Sequence, residues 1–225
     1  MRAAFYVQLD ELIIDLVRMT RLAGQMMTNA AIALHQRDLA LAAVVIAKRD
    51  QIYVMHDDAE QRCIILLARR APVPGDLRAV VAALRALAHL KRMGNLARHV
   101  ALIAQLKNPN PMTAPEVRPV LARMSLLASQ FAEDAATVIE RPDRRSGSQL
   151  AEADHEVDAL RRHLFDVLFA EDWSHGVEQA VDAALIGRYY ERFADHAVAV
   201  ATEARYLVTR RIPEPDGMET GSRLR

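Results

Sequence analysis

Apolar residues recur along most of this chain at intervals of three and four, the spacing that gathers them into one stripe of an α-helix. In the first such stretch, from about residue 4 to His35, the stripe is Leu9, Leu12, Ile13, Leu16, Met19, Leu22 and Ala23. A second carries Val44, Val45, Ile52, Met55, Cys63, Leu66 and Leu67, with Asp38 placed to cap its start. It ends before the turn Ala71-Pro72-Val73-Pro74-Gly75, which leads into Asp76 as the cap of a third helix running through Leu84, Leu87, Met93 and Val100 to Leu106. Lys107-Asn108-Pro109-Asn110-Pro111 reads as a linker. A fourth helix covers roughly Ala114 to Glu140, and the segment from Arg141 to Ser148 is the next break. Two more helices, joined by the turn Glu171-Asp172-Trp173-Ser174-His175-Gly176, take the chain to about Arg211. Beyond Pro213 there is too little apolar content to pack, and the tail reads as disordered. The pattern predicts an all-α protein of six long antiparallel helices in a tandem pair of three-helix bundles, residues 1–107 and 112–211, followed by a tail over 212–225.

Three helices on each side of a linker suggest an internal duplication, which an overlay tests. Leu90-Lys91-Arg92-Met93-Gly94-Asn95 falls on Tyr190-Glu191-Arg192-Phe193-Ala194-Asp195 at an offset of 100, with Arg92 matching Arg192. In the preceding helix, Arg49-Asp50-Gln51-Ile52-Tyr53 falls on Asp154-His155-Glu156-Val157-Asp158 at an offset of 105, with Ile52 on Val157. The apolar skeleton repeats, but the carboxylates do not. Where the second half has Asp154, Asp158, Glu191 and Asp195, the first has Arg49, Tyr53, Lys91 and Asn95.

Asp154 and Asp158 are four residues apart, as are Glu191 and Asp195, so each pair shares a helix face. Measured from the turn between their helices, the pairs sit at matching heights to within about 3 Å. Four converging carboxylates repel unless a cation fills the gap, and all-oxygen ligation suits magnesium, calcium, manganese or iron better than structural zinc. Imidazoles from His155 or His196 would broaden that choice. The competing reading is a pair of solvated helix faces, with Asp158 answered by Arg161 and Arg162, and Glu191 by Arg192 or Arg188.

Composition narrows the class. Of 225 residues 52% are apolar, yet only 5% are aromatic and 8 are glycine, which suits a core of Leu, Ala and Val between helices. The formal net charge is zero, so there is no electrostatic footprint for nucleic acid. The single Cys63 excludes an internal disulfide and fits a reducing cytoplasm. Asp10 and Glu11 precede any long apolar run, unlike a signal peptide, and the apolar stretch Leu39 to Ala47 is far short of a membrane span. Cys63 lies among Ile64, Ile65 and Leu66 and reads as a buried inert thiol, while Met26, Met27 and Met93 read as core fillers. His163 and His175 read as a helix-face and a turn residue. Arg92 and Arg192 read as partners of carboxylates that fix helix packing, ahead of phosphate binding. The chain has no Gly-rich phosphate cradle. Glu152 and His155 make one E-x-x-H, whereas a ferritin-like di-iron centre needs two copies and two further glutamates.

In combination, the tandem bundles, the segment from Ala71 to Arg78 and the block Glu191-Arg192-Phe193-Ala194-Asp195-His196-Ala197 resemble the PhoU family of phosphate-signalling regulators in its short actinobacterial form, over essentially all of residues 1–211. The resemblance implies a cytoplasmic protein without catalytic activity. It implies metal clusters held by paired E(D)-x-x-x-D motifs, one set per repeat, and restraint of the phosphate response through a sensor histidine kinase and the ATPase of the phosphate ABC transporter. Membrane contact would come only through that transporter, and a homodimer is expected. Carried onto this chain, the second metal set is Asp154, Asp158, Glu191 and Asp195. The first set is replaced at every position, taking the local formal charge from about −4 to about +2. The first bundle is therefore expected to be metal-free, with Asp50, Asp57 or Asp58 and the Asn95 amide satisfying Arg49 and Lys91, and iron, manganese, magnesium or zinc confined to the second. The alternatives are a metal-independent helical adaptor and a ferritin-like di-iron protein.

Overall fold

The computed structural model describes the backbone over residues 2–68, 74–106, 113–141 and 146–209, and the side chains there except at 2–4, 146–154 and 208–209. Six helices follow in order: α1 Arg2–Gln36, α2 Leu39–Ala68, α3 Pro74–Leu106, α4 Arg118–Glu140, α5 Ser146–Leu168 and α6 Gly176–Thr209. The linker over 107–112 and the tail from 210 onward, with the domain limits placed there, lie outside the described residues.

Local chemistry sets the helix ends. Arg37 takes a positive φ of 59° and closes α1, and the Asp38 carboxylate then accepts a hydrogen bond at 2.9 Å from the Leu41 backbone N–H, the predicted cap. Two expectations shift by about one turn. Asp76 sits inside the first turn of α3 because Pro74, lacking an N–H to satisfy, begins the helix. Likewise α4 begins at Arg118 with a proline in its first turn, and Ala114 belongs to the preceding turn.

As the pattern predicts, α1–α3 pack together as one three-helix bundle and α4–α6 as a second, and the two bundles then join through a shared central layer. α3 packs most extensively against α6, and α1 also packs against α4, so four helices from both halves form the centre. Outside them, α2 lies on α1 and α3, and α5 on α4 and α6. Leu9, Leu12, Leu16, Met19, Met26 and Met27 of α1 are fully enclosed, as are Phe193 and Tyr190 of α6, while Phe131 of α4 is all but enclosed. Each such side chain contributes roughly 1.5–3 kcal/mol relative to exposure. Small residues permit close approach: a Cβ at Gly24 would lie 2.9 Å from the Ala132 Cβ across α1 and α4.

The α3–α6 contact is antiparallel. Arg85 meets Glu203 at 3.7 Å, His89 meets His196 at 3.0 Å, and His99 stacks on Tyr189 with ring centroids 5.3 Å apart, so positions rise on one helix as they fall on the other. With an offset of 100 between the helices, this pairing is that of an internal twofold passing near Met93 and Phe193, both fully buried.

Candidate metal centre

The four positions singled out in the first half do converge, around an aromatic ring rather than an ion. The Asn95 side-chain oxygen accepts hydrogen bonds from Arg49 Nε at 3.4 Å and from the Tyr53 hydroxyl at 3.3 Å. Asn95 Nδ2 in turn donates to the Tyr53 hydroxyl at 3.1 Å. The Arg49 guanidinium lies 3.9 Å from the centre of the Tyr53 ring and Lys91 Nζ lies 4.5 Å from it, so the ring's negative face takes up both cations. The hydrogen bond from Asn95, followed by Arg49, lowers the Tyr53 phenol below its ordinary value. Carboxylates complete the neutralisation as expected: Arg49 pairs with Asp50 at 3.2 Å and Lys91 with Asp57 at 3.7 Å.

One group on α2 escaped the sequence reading. His56, Asp57 and Glu60 bring a ligand atom each within 4.8 Å of one another, which could hold a metal. The H-D-x-x-E spacing, with His56 and Glu60 one turn apart, was the available signal. The group is not vacant of charge. Lys91 Nζ stands 3.5 Å from His56 Nδ1, and Asp57 accepts from that same nitrogen at 2.9 Å, so an incoming cation must displace the lysine. Asp57 is held below the usual carboxylate range, by His56 first and Lys91 next.

In the second half, Glu191 is the buried member, 7% exposed. Its Oε1 lies 2.6 Å from Arg188 Nη1 and its Oε2 lies 3.3 Å from Arg161 Nε. The Arg161 contact lacks hydrogen-bond geometry, leaving the enclosed Oε2 without a hydrogen-bond partner. Of the answering cations expected for Glu191, the structure selects Arg188 and adds Arg161 from α5. Neither Arg192 nor Arg92 is among the cations that Glu191 and Glu203 meet, since Glu203 pairs with Arg85. Asp158 and Asp195 are exposed, Asp195 with an interaction of its own, and Arg162 Nε donates at 3.4 Å to the Asp158 main-chain oxygen, not to its carboxylate. Asp154 lies on α5 with its side chain outside the described residues, as does Glu152 of the E-x-x-H.

Hard carboxylate oxygens and a buried oxygen lacking a hydrogen bond fit a hard cation, because an enclosed acceptor without a partner is costly. The remaining candidates have structural uses. His175 pairs with Glu116 at 3.0 Å beside the α5–α6 turn. Cys63 is fully enclosed and burial pushes its thiol up to about 12, which keeps the nucleophilic thiolate scarce. Among the described residues, no helix is long and apolar enough to cross a membrane.

Comparison with known proteins finds the same repeat. The family model for the PhoU domain matches twice, over residues 16–104 and 121–204. The phosphate-specific transport system accessory protein PhoU homolog 1 of Mycobacterium leprae is 43% identical over 216 residues, spanning 96% of this chain and 97% of that one. PhoU homolog 2 of Mycobacterium tuberculosis is 43% identical over 213 residues, spanning 95% of this chain and all of its own. Among solved structures, PhoU from Pseudomonas aeruginosa superposes with a TM-score of 0.81 at 26% identity, covering 91% of this chain and 99% of that one.

Proposed function

The chain belongs to the PhoU family, whose domain it carries twice, and on that premise we propose that it is a non-enzymatic accessory regulator of phosphate transport and phosphate signalling. It restrains the phosphate-starvation response by docking, as a homodimer in the cytoplasm, onto a phosphate-sensing histidine kinase and onto the ATPase of the phosphate ABC transporter. The related proteins are named as accessory to that transport system, which supports this placement. Long helices with continuous exposed faces supply docking surfaces without a catalytic cleft.

A metal in the second half would be held by Asp154, Asp158, Glu191 and Asp195. Iron, manganese, magnesium or zinc bound there would supply a fixed positive charge that ties α5 to α6. Two observations support it: the Glu191 Oε2 is buried without a hydrogen bond, and the equivalent first-half positions Arg49, Tyr53, Lys91 and Asn95 come together around one ring. The second reading, a metal-independent adaptor, is favoured by the Arg188 and Arg161 contacts that already neutralise Glu191.

Elemental analysis of tag-free protein, wild type against Asp154→Ala/Glu191→Ala, separates the two readings. Metal that is present in wild type and lost in the folded variant supports the metal centre. Capture of the transporter ATPase that survives chelation with metal-free protein supports the adaptor. Failure of the protein to bind either the ATPase or the kinase would overturn the regulatory reading itself.

A further inference from the structure

We propose that the α3–α6 seam carries a binding site for a phosphate-class oxyanion, built on Arg92 and Arg192 with the His89–His196 pair beside them.

Positions 85, 89, 92 and 99 of α3 repeat at the spacing that keeps them on one helix face, as do 189, 192, 196 and 203 of α6. Three contacts fix these faces against each other: Arg85 with Glu203, His89 with His196, and His99 with Tyr189. Arg92 falls between the second and third contacts on α3, and Arg192 falls between the same two on α6. The arginines therefore oppose one another in register. They are also equivalents under the duplication, and an internal twofold brings equivalent residues together only close to its axis.

Two like charges at matching heights on neighbouring helices repel without a counter-charge. Two neighbouring carboxylates are committed elsewhere: Glu191 to Arg188 and Arg161, and Glu203 to Arg85. Both arginines are exposed residues, within reach of a small ligand. Their planar forks match the oxygen pairs of a tetrahedral anion, and a doubly charged anion answers both at once.

The imidazole pair adds a preference within that class. With the two Nδ1 atoms 3.0 Å apart, one ring must donate and the other accept. In the neutral pair the donating ring keeps Nε2 as a bare acceptor, while the accepting ring carries its proton on Nε2. The pair thus offers one acceptor and one donor. Monohydrogen phosphate has both a hydroxyl to give and oxygens to receive; sulfate has no hydroxyl. The site uses none of the four proposed metal ligands, so it stands or falls separately from the metal centre.

The test is calorimetric titration of the full chain, stripped of metal by chelation, with inorganic phosphate, phenyl phosphate and sulfate in turn. We expect phosphate to bind, sulfate to bind more weakly, Arg92→Gln and Arg192→Gln each to weaken phosphate about tenfold or more, and the double variant to lose it. Both arginines are exposed, and unchanged thermal unfolding of the variants ensures that lost binding is local. Binding of inorganic phosphate identifies the free anion as ligand; binding of phenyl phosphate alone, whose dianion has no hydroxyl, identifies the phosphoryl group of a larger molecule, which supports the arginine site and overturns the part assigned to the imidazoles. No binding of either phosphate, or equal binding by wild type and the double variant, overturns it. Sulfate binding as tight as phosphate would overturn the part assigned to the imidazoles.

Discussion

Arg161 meets Glu191 at 3.3 Å across α5 and α6, and the two residues that precede them by 105 and 100 positions, His56 and Lys91, meet at 3.5 Å across α2 and α3. The contact survived the duplication while its charges changed sides. In the first half a lysine on the third helix approaches an imidazole on the second; in the second half a carboxylate on the third helix approaches a guanidinium on the second. The seam has one geometry and two electrostatic solutions.

If a metal competes with Arg161 for Glu191, removing the guanidinium should strengthen metal binding. Arg161→Ala is expected to raise affinity for manganese by up to about fivefold, since a partly exposed ion pair is worth up to about 1 kcal/mol. Glu191→Ala should abolish binding. A competition titration against a chromophoric chelator reads both, and equal affinity in wild type and Arg161→Ala would show that the arginine does not guard the site.

The first half should resist conversion. Lys91→Glu alone leaves Arg49 over the Tyr53 ring and the Asn95 amide in place of acids, so it supplies one carboxylate among a cation and two neutral groups. Elemental analysis of this variant is expected to find no metal gained per chain. A stoichiometric gain, especially one lost again with His56→Ala, would reveal that the His56, Asp57 and Glu60 group was blocked only by Lys91.

Packing offers a second exchange between the repeats. A Cβ at Gly94 would stand 3.1 Å from Ile52 Cγ2, whereas the equivalent positions in the other half hold Ala194 and Val157, both buried. One methylene has moved from one helix to the other. Gly94→Ala is expected to cost about 1 kcal/mol net, overpacking outweighing the gain in helix propensity. Ile52→Val alone costs about 1 kcal/mol through its cavity. The double variant should recover about 1 kcal/mol relative to the sum, and a denaturant-unfolding cycle that came out additive would refute the exchange.

Acid should loosen the α3–α6 seam. Burial lowers the His196 imidazole to about 4, and His89, Arg192 and Arg92 press the same way. An unfolded histidine titrates near 6.5. Between those values the unfolded chain binds a proton that the folded chain refuses, so stability falls as pH drops through the window and levels off below about 4. His196→Gln should flatten the urea midpoint between about pH 7 and about pH 5 relative to wild type. Parallel curves for the two proteins would assign the pH dependence to other groups.

Six helices, their order and the tandem repeat were legible in the sequence because apolar spacing and turn residues are local signals. The Asp38 cap and the Asp50 and Asp57 contacts were legible for the same reason, each partner being the next residue, one helix turn on, or on the adjacent helix. What the sequence hid was the pairing between the halves. Nothing in the periodicity of α3 or α6 says that His89 faces His196 or that Glu203 faces Arg85, and the generic expectation that Arg92 and Arg192 find carboxylates stood in its place. Arg161 was assigned to Asp158 on its own helix because sequence favours near neighbours; the buried Glu191 across the seam offered the stronger field.

The central layer has a consequence for how the protein comes into being. α1 takes its second partner from α4, and α3 its largest from α6, contacts spanning about a hundred residues of chain. While the ribosome is still making the second half, the emerged first three helices therefore lack the α4 and α6 faces that cover α1 and α3, including the α1 surface at Gly24 that awaits Ala132. Such non-local closure is slow, and the waiting chain presents apolar helix faces to whatever is nearby. The same join that makes the finished molecule a single unit leaves its nascent first half with open faces on α1 and α3.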